Sequence, residues 1–254
     1  MRIEVAGFTH VGMKRNHNED NFLLLPEENL FCVADGMGGH ASGEIASQIA
    51  IEELAEFFKF TAKDEDATWP FKMDRGRNYD ENRLATGIKL ANARIFERAT
   101  VENKYKGMGT TIVSAHFSKS IAYLAHVGDS RGYYYRAGLL RQVTEDHSLL
   151  NDYIRAKRLT PQEIETFQFK NVIVRALGMK DSVQVDVGRI EPQEGDIYLL
   201  CSDGLSGLIS DAQIQETLSR ATDLETSCQQ LIQMANTAGG TDNVTCILLR
   251  YHSV

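Results

Sequence analysis

Cysteine is scarce in this 254-residue sequence, and the four present, Cys32, Cys201, Cys228 and Cys246, lie far apart with no Cys-x-x-Cys pair. That spacing excludes a zinc knuckle and a dithiol redox motif. Three of the four sit in apolar runs, where a thiol packs as a small hydrophobe, so inert core cysteines in a reducing compartment are expected. Proline is equally sparse, with four residues, and no Pro/Ser-rich tract, repeat or low-complexity segment divides the chain. One domain over residues 1–254 is the simplest organisation. No apolar run approaches the ~18 residues a membrane span needs. Met1–Val5 lacks the apolar stretch of a secretion signal, so a cytoplasmic protein is expected. Positive charge is also short: 27 Lys and Arg against 35 Asp and Glu leave a net charge of −8. A nucleic-acid binder would show a basic stripe, so no nucleic-acid partner is expected. Any anionic substrate must instead be drawn in by local positive charge or by bound cations.

The composition that remains is that of a globular chain, since 43% hydrophobic and 24% charged residues exclude disordered and collagen-like classes. Short β-branched or aromatic segments bounded by Gly, Asp or Asn predict strands. They are Ile3–Thr9, Asn21–Leu25, Leu30–Ala34, Thr110–Phe117, Ile121–Val127, Gly132–Tyr135, Leu139–Gln142, Gln184–Ile190, Ile197–Cys201 and Val244–Arg250. Helical spacing appears in three stripes: Ile45, Ile49, Leu54, Phe57 and Phe58; Leu84, Ile88, Ala91 and Ile95; Leu224, Leu231, Ile232 and Ala235. Strands in runs with helices grouped between them predict an α+β layered sandwich rather than an alternating βαβ wind. Asp64–Asp80 reads as a polar connection between the first two helices. Leu149–Arg175 reads as an excursion from the sheets with a helix starting at Thr160-Pro161. No heptad or large apolar stripe points beyond a monomer.

The informative feature is where a few acids fall. Asp35 directly follows an apolar strand, Asp129 follows another through Gly128, and Asp203 follows a third through Ser202. Asp242 and the pair Glu19-Asp20 immediately precede strands. In an antiparallel sheet, strands that run up end at the edge where their neighbours begin, so these acids can meet on one rim. Carboxylates crowded there repel one another and rise in pKa unless a cation sits among them. Hard oxygen donors without histidine suit Mg²⁺ or Mn²⁺ rather than zinc.

Competing motifs fail on their own terms. Gly36-Met37-Gly38-Gly39-His40-Ala41 fits a loose dinucleotide fingerprint, but the helix after it leads into Asp64–Asp80 and not into the required second strand. A cysteine-phosphatase loop at Cys201 would need an arginine where Gly207 stands. Gly128-Asp129-Ser130 resembles a serine-hydrolase motif, yet Ser130 has no candidate base.

Seven stretches, in order along the chain, remain: Arg15-Asn16-His17-Asn18-Glu19-Asp20, Asp35-Gly36-Met37-Gly38-Gly39-His40, Gly109-Thr110-Thr111, Gly128-Asp129-Ser130-Arg131, Asp146-His147-Ser148, Cys201-Ser202-Asp203-Gly204-Leu205 and Gly240-Thr241-Asp242-Asn243-Val244-Thr245. Together they resemble the PPM family, the metal-dependent serine/threonine protein phosphatases of type 2C, in its compact bacterial form. The resemblance implies a four-layer αββα sandwich, two stacked antiparallel sheets flanked by helix pairs. It implies a metal on Asp35, Asp203 and Asp242, and a second bridged by Asp35 that also takes the Gly36 carbonyl and, in part through water, the pair Glu19-Asp20. A third, weaker metal would use Asp129 with Asp203. Arg15 matches the arginine that grips the substrate phosphate, a task suited to its planar fork. His40 matches a histidine of the bacterial sequences that is a candidate proton donor, while Met37 stands where animal members place one. The flap beside the active site would fall at Leu149–Arg175.

The implied activity is hydrolysis of phosphoserine and phosphothreonine in phosphoproteins by a hydroxide bridging two Mg²⁺ or Mn²⁺ ions, reversing a cognate bacterial Ser/Thr kinase. Two other readings share the site. A phosphoesterase of small molecules or nucleic acid would use the same acids, and an inert binding module would have lost some of them, whereas Asp20, Asp35, Asp129, Asp203 and Asp242 are all present.

Overall fold

Period-two alternation along the apolar strands divides the buried side chains among three cores. In the computed structural model, residues 1–38, 42–64, 68–156, 158–169 and 172–253 are described. Their elements run β1 (Arg2–His10), β2 (Asp20–Leu25), β3 (Leu30–Met37), α1 (Ser42–Lys63), α2 (Tyr79–Val101), β4 (Gly109–Thr110), β5 (Ile112–Ser118), β6 (Ile121–Val127), β7 (Arg131–Arg136), β8 (Leu139–Gln142), α3 (Leu149–Arg155), α4 (Pro161–Thr166), β9 (Asp186–Ile190), β10 (Ile197–Cys201), α5 (Asp203–Ser206), α6 (Asp211–Ser219), α7 (Leu224–Thr237) and β11 (Val244–His252). One sheet has the order β1-β11-β10-β7-β8, the other β2-β3-β5-β6-β9, with β4 added to β3. Every pairing is antiparallel.

On β3, Leu30, Cys32 and Ala34 face the helices α1 and α2, where they pack with Leu54, Phe58, Leu84 and Ile88. Phe31 and Val33, one residue out of phase, face the other sheet. On β10 and β11 the same alternation sends Leu199, Cys201, Cys246 and Leu248 toward α6 and α7. Tyr198, Leu200, Ile247 and Leu249 fill the space between the sheets. Strands covered on both faces read as unbroken apolar runs, which is why their sequence shows no alternation of polar and apolar letters. The expected αββα layering is what forms.

Some expected boundaries shift. The single strand Thr110–Phe117 is two strands broken at Thr111, because the Thr111 backbone N–H leaves the ladder to donate to the Asp35 carbonyl at 2.8 Å. β3 runs on to Met37, so Asp35 lies within the strand instead of following it. The expected excursion contains α3 and α4, and Thr160 caps α4 through a reciprocal capping box with Glu163. Its neck is closed by an isolated bridge between Ser148 and Ile173. Among the described residues, no helix is long and apolar enough to cross a membrane.

Candidate metal centre

The alternation that fills the space between the sheets also aims the acids. Asp35 continues the Phe31, Val33 face of β3, and Asp20 is its direct partner across the β2–β3 ladder, so both carboxylates point to the same side of the sheet. Thr245 continues the inward row of Ile247 and Leu249 from the facing sheet, and its hydroxyl donates to Asp20 Oδ2 at 2.6 Å. Ser202 Oγ donates to the same oxygen at 2.8 Å. Behind Thr245 a relay continues, with its hydroxyl 2.7 Å from that of Thr9, which accepts from Asn18 Nδ2 at 2.8 Å. The rim of one sheet is thereby fastened to the rim of the other.

Asp203 opens α5, with Ser202 alone between it and the end of β10. Asp242 sits just before β11, with one carboxylate oxygen accepting from the Asn243 backbone N–H at 2.8 Å and the other from Arg15 Nη2 at 2.7 Å. Asn243 ties the β1–β2 loop down: its Nδ2 donates to the carbonyls of Val11 and His17, both at 2.9 Å, and its Oδ1 accepts the Glu19 N–H at 2.8 Å. That loop carries Arg15. Asp129, Asp203 and Asp242 together line a cleft of about 380 Å³ that continues past Arg131 and Asp146. Arg131 and Asp146 neutralise each other in a forked pair, at 2.7 Å for the closest contact.

Electrostatics at this rim are adverse to five carboxylates alone. Burial pushes Asp20 up to about 7, against the pull of its two hydroxyl donors, and Asp203 and Asp242 push further. Asp129 is also pushed up to about 7, by burial first and then by Asp203 and Asp146. Asp35 is raised well above the carboxylate range by burial and by Asp20, Asp203, Asp129 and Asp242. Burial and Asp242 raise Asp203, while a hydrogen bond with Asp35 and the fields of Arg15 and Arg131 oppose the rise. Two carboxyl groups in hydrogen-bond contact require a shared proton or an intervening cation. Among the described residues, Asp20 Oδ1 and Asp129 Oδ1 are buried with no hydrogen-bond donor. A buried oxygen left without a partner costs about 1–3 kcal/mol, more when charged, and a divalent cation removes that cost. The donor set is all oxygen, as Mg²⁺ and Mn²⁺ prefer.

Of the other residues singled out in the sequence, Gly36 lies where the strand backbone meets the start of α1. A Cβ there would sit 2.2 Å from the Gly43 carbonyl oxygen and 2.5 Å from that of Glu19, so only glycine fits. Glu19 is turned toward α1: its Oε1 accepts the Gly43 N–H at 3.1 Å, and its carbonyl accepts from Gly36 N and Ser47 Oγ. That geometry stabilises the helix start. His40 lies outside the described residues. Arg15 stands at the rim, half exposed at 51%. Ser202, Thr245 and Asn243 hold the acids and the Arg15 loop in place, a role the sequence reading left unassigned. Thr245 lies on the inward row of β11, and Ser202 and Asn243 sit one residue beyond the ends of β10 and β11.

No thiol or hydroxyl here is set up as a nucleophile. Burial pushes the Cys201 thiol up to about 12, and the Ser130 hydroxyl is buried against that of Thr111 at 2.7 Å.

Comparison with known proteins gives the family of this fold. Residues 9–249 match the family model for protein phosphatase 2C. The chain is 36% identical over 248 residues to the serine/threonine phosphatase stp of Listeria innocua serovar 6a, covering 95% of this chain and 93% of that protein. It superposes on the crystal structure of the Mycobacterium tuberculosis serine/threonine phosphatase PstP/Ppp with a TM-score of 0.86, at 33% identity and full coverage of both chains. A structure of the PstP catalytic domain in complex with two manganese ions is similar too, with a TM-score of 0.81, 34% identity and 99% of each chain covered. With its αββα layers and its rim of acids in register, the chain belongs to the protein phosphatase 2C family.

Proposed function

We propose that this chain hydrolyses phosphoserine and phosphothreonine in phosphoproteins with the help of Mn²⁺ or Mg²⁺, and that it reverses a cognate Ser/Thr kinase. The observation that carries the reading is the opposed pair Asp20 and Asp35 with Asp203 and Asp242 beside them, buried oxygens included, in a layout that a bound cation stabilises in its charged form. Asp35, Asp203 and Asp242 would hold one ion. Asp35, the Gly36 carbonyl and Asp20 would hold a second, with Glu19 behind them as the brace on α1. Asp129 and Asp203 would hold a third, weaker one. Cations held there would supply two things: a lowered pKa for bound water and screening of charge on phosphoryl oxygens.

The chain's own groups do the rest. Arg15 presents its fork to the phosphate oxygens and offsets the charge that spreads over them during in-line displacement. Thr245 and Ser202 lock the Asp20 carboxylate in one rotamer. His40 remains the candidate proton donor to the leaving serine or threonine oxygen. The buried thiols and hydroxyls take no covalent part.

We read residues 1–254 as a single catalytic domain with its flap at 149–175, acting as a monomer. Four buried free thiols suit a reducing compartment, which supports a cytoplasmic location. Turnover of phosphopeptide, p-nitrophenyl phosphate and nucleotide monophosphates, each with chelator and with Mn²⁺, tests the reading. Mn²⁺-dependent turnover favouring the phosphopeptide is expected. A preference for nucleotides would replace the substrate class, and full activity after prolonged chelation would remove the metal.

A further inference from the structure

His147, at 3% exposure, is held by more partners than packing requires. Its backbone N–H donates to the Gly128 carbonyl at 2.9 Å, and its ring Nδ1 accepts the Gly128 N–H at 3.0 Å. One residue therefore clamps Gly128 from both sides. Gly128 has a φ of +112° and is followed directly by Asp129. Because Nδ1 accepts, the ring proton is on Nε2, which donates to Asp186 Oδ2 at 2.9 Å. Arg175 Nη1 reaches the same oxygen at 3.3 Å. His126 stacks on the His147 ring with centroids 4.6 Å apart and planes 16° from parallel.

The neck of the flap closes on this residue as well. The Val174 N–H donates to the His147 carbonyl at 2.9 Å, and the Leu149 N–H to that of Val172 at 2.8 Å. Arg175, next in the chain, carries the connection to Asp186. His126, His147 and Asp186 bring ligand atoms within 4.8 Å of one another, a spacing that also suits a metal. Yet the Arg175 guanidinium already lies 3.0 Å from His147 Nε2 and on the Asp186 oxygen, and a second cation there would be repelled. The cluster is a brace.

We propose that His147 is a positioning residue that joins the base of the flap to the Gly128 turn and so aims the Asp129 carboxylate at its cation. The proposal rests on the reading of Asp129 as a metal ligand. Two substitutions divide the work of the ring. His147→Asn puts an amide oxygen at the place of Nδ1 and keeps the acceptor for Gly128. His147→Gln reaches Asp186 and leaves the Gly128 N–H without its acceptor.

The experiment is a calorimetric Mn²⁺ titration of the full chain, with phosphopeptide kinetics alongside, for wild type, Asp129→Asn, His147→Asn and His147→Gln. Residues that orient metal ligands typically change affinity about 10–100-fold. Asp129→Asn and His147→Gln are expected to weaken the weakest Mn²⁺ site by about that factor and to leave the tighter sites and the KM for phosphopeptide unchanged. His147→Asn retains most of the wild-type affinity. Wild-type affinity in His147→Gln, or equal weakening in both His147 variants, overturns the positioning role if Asp129→Asn still weakens the site. Unchanged Mn²⁺ binding in Asp129→Asn instead overturns the ligand assignment on which the proposal stands. Should His147→Gln fail to fold, Asp186→Asn removes the outer anchor and keeps the ring. It is expected to weaken the same site to a smaller degree, and no weakening would count against the brace.

Discussion

Arg15 touches the site through one contact, 2.7 Å to Asp242, from a side chain that is half exposed. Its removal leaves the acids in place, so Arg15→Ala should weaken phosphate binding without dismantling the centre. Loss of a charge-assisted contact costs about 1.5–3 kcal/mol, so KM for a phosphopeptide should rise roughly ten- to a hundredfold with the metals still bound. An unchanged KM would show that Arg15 does not meet the phosphate. Glu19 behaves differently from its neighbour in the sequence. Its carboxylate faces the Gly43 N–H, and Glu19→Gln keeps an oxygen for that donor. Near wild-type Mn²⁺ affinity is expected, and a loss above about tenfold would place Glu19 on a cation instead. The five rim aspartates were legible in the sequence because each abuts an apolar strand at its end or start. Ser202 and Thr245 were not, because a hydroxyl residue in or beside a strand reads as an ordinary β former, and its bond to Asp20 spans 182 and 225 positions.

Elements marked by a dense apolar or β-prone run or a helical stripe were readable, and those without such a local mark were not. Ile121–Val127, Leu139–Gln142 and Ile197–Cys201 form as expected, since each is a short β-prone run with turn residues beside it. The break at Thr111 was hidden, because it is caused by the Asp35 carbonyl across the sheet and by the Ser130 hydroxyl, neither of which is local. α6 was missed although Ser210 and Gln213 form a capping box, because only Ile214, Thr217 and Leu218 of its residues are buried and too few apolar letters mark a stripe. α2 offers a check on local causes: Asn78 caps it through Glu81 and also donates to the Tyr123 hydroxyl at 2.9 Å. Asn78→Ala should cost about 1 kcal/mol or somewhat more, lowering Tm by roughly 2–4 °C and leaving kcat unchanged. A change in kcat without a change in Tm would contradict a purely structural cap.

Across the molecule, two sheets close a core between them and leave its rim lined with acids whose charges the fold only partly offsets. Asp20 and Asp129 stand at about 7 when folded, against about 3.9 in an unfolded chain. Between those values these two acids hold more protons in the folded state, so their contribution to metal-free stability falls as pH rises from about 4 to 7, against a smaller opposite contribution from buried His147, which is held at about 4. Mn²⁺ favours the charged carboxylates and opposes that loss. Thermal melts at pH 5 and 7.5 should therefore show a lower Tm at the higher pH in chelator, and a rise with added Mn²⁺ that is larger at pH 7.5. A chelated protein that is more stable at pH 7.5 would contradict the shifts assigned to these acids. The layered architecture itself was legible from the grouping of strands and helices, whereas the contact between β2 and β11 that completes the site joins distant parts of the chain and shows only in three dimensions.

Asp203 is the residue on which the site depends most, since the reading gives it to two cations and it stands against both Asp35 and Asp242. Asp203→Asn keeps its volume and removes its charge. Mn²⁺ titration of this variant, with phosphopeptide turnover and a melt in chelator on the same sample, should show affinity and turnover reduced by more than the roughly 10–100-fold typical of residues behind the ligands. Relief of carboxylate repulsion should leave its metal-free Tm no lower than that of wild type. A folded Asp203→Asn protein with near-normal Mn²⁺ affinity and turnover would contradict a metal centre at this rim and the phosphoester hydrolysis assigned to it.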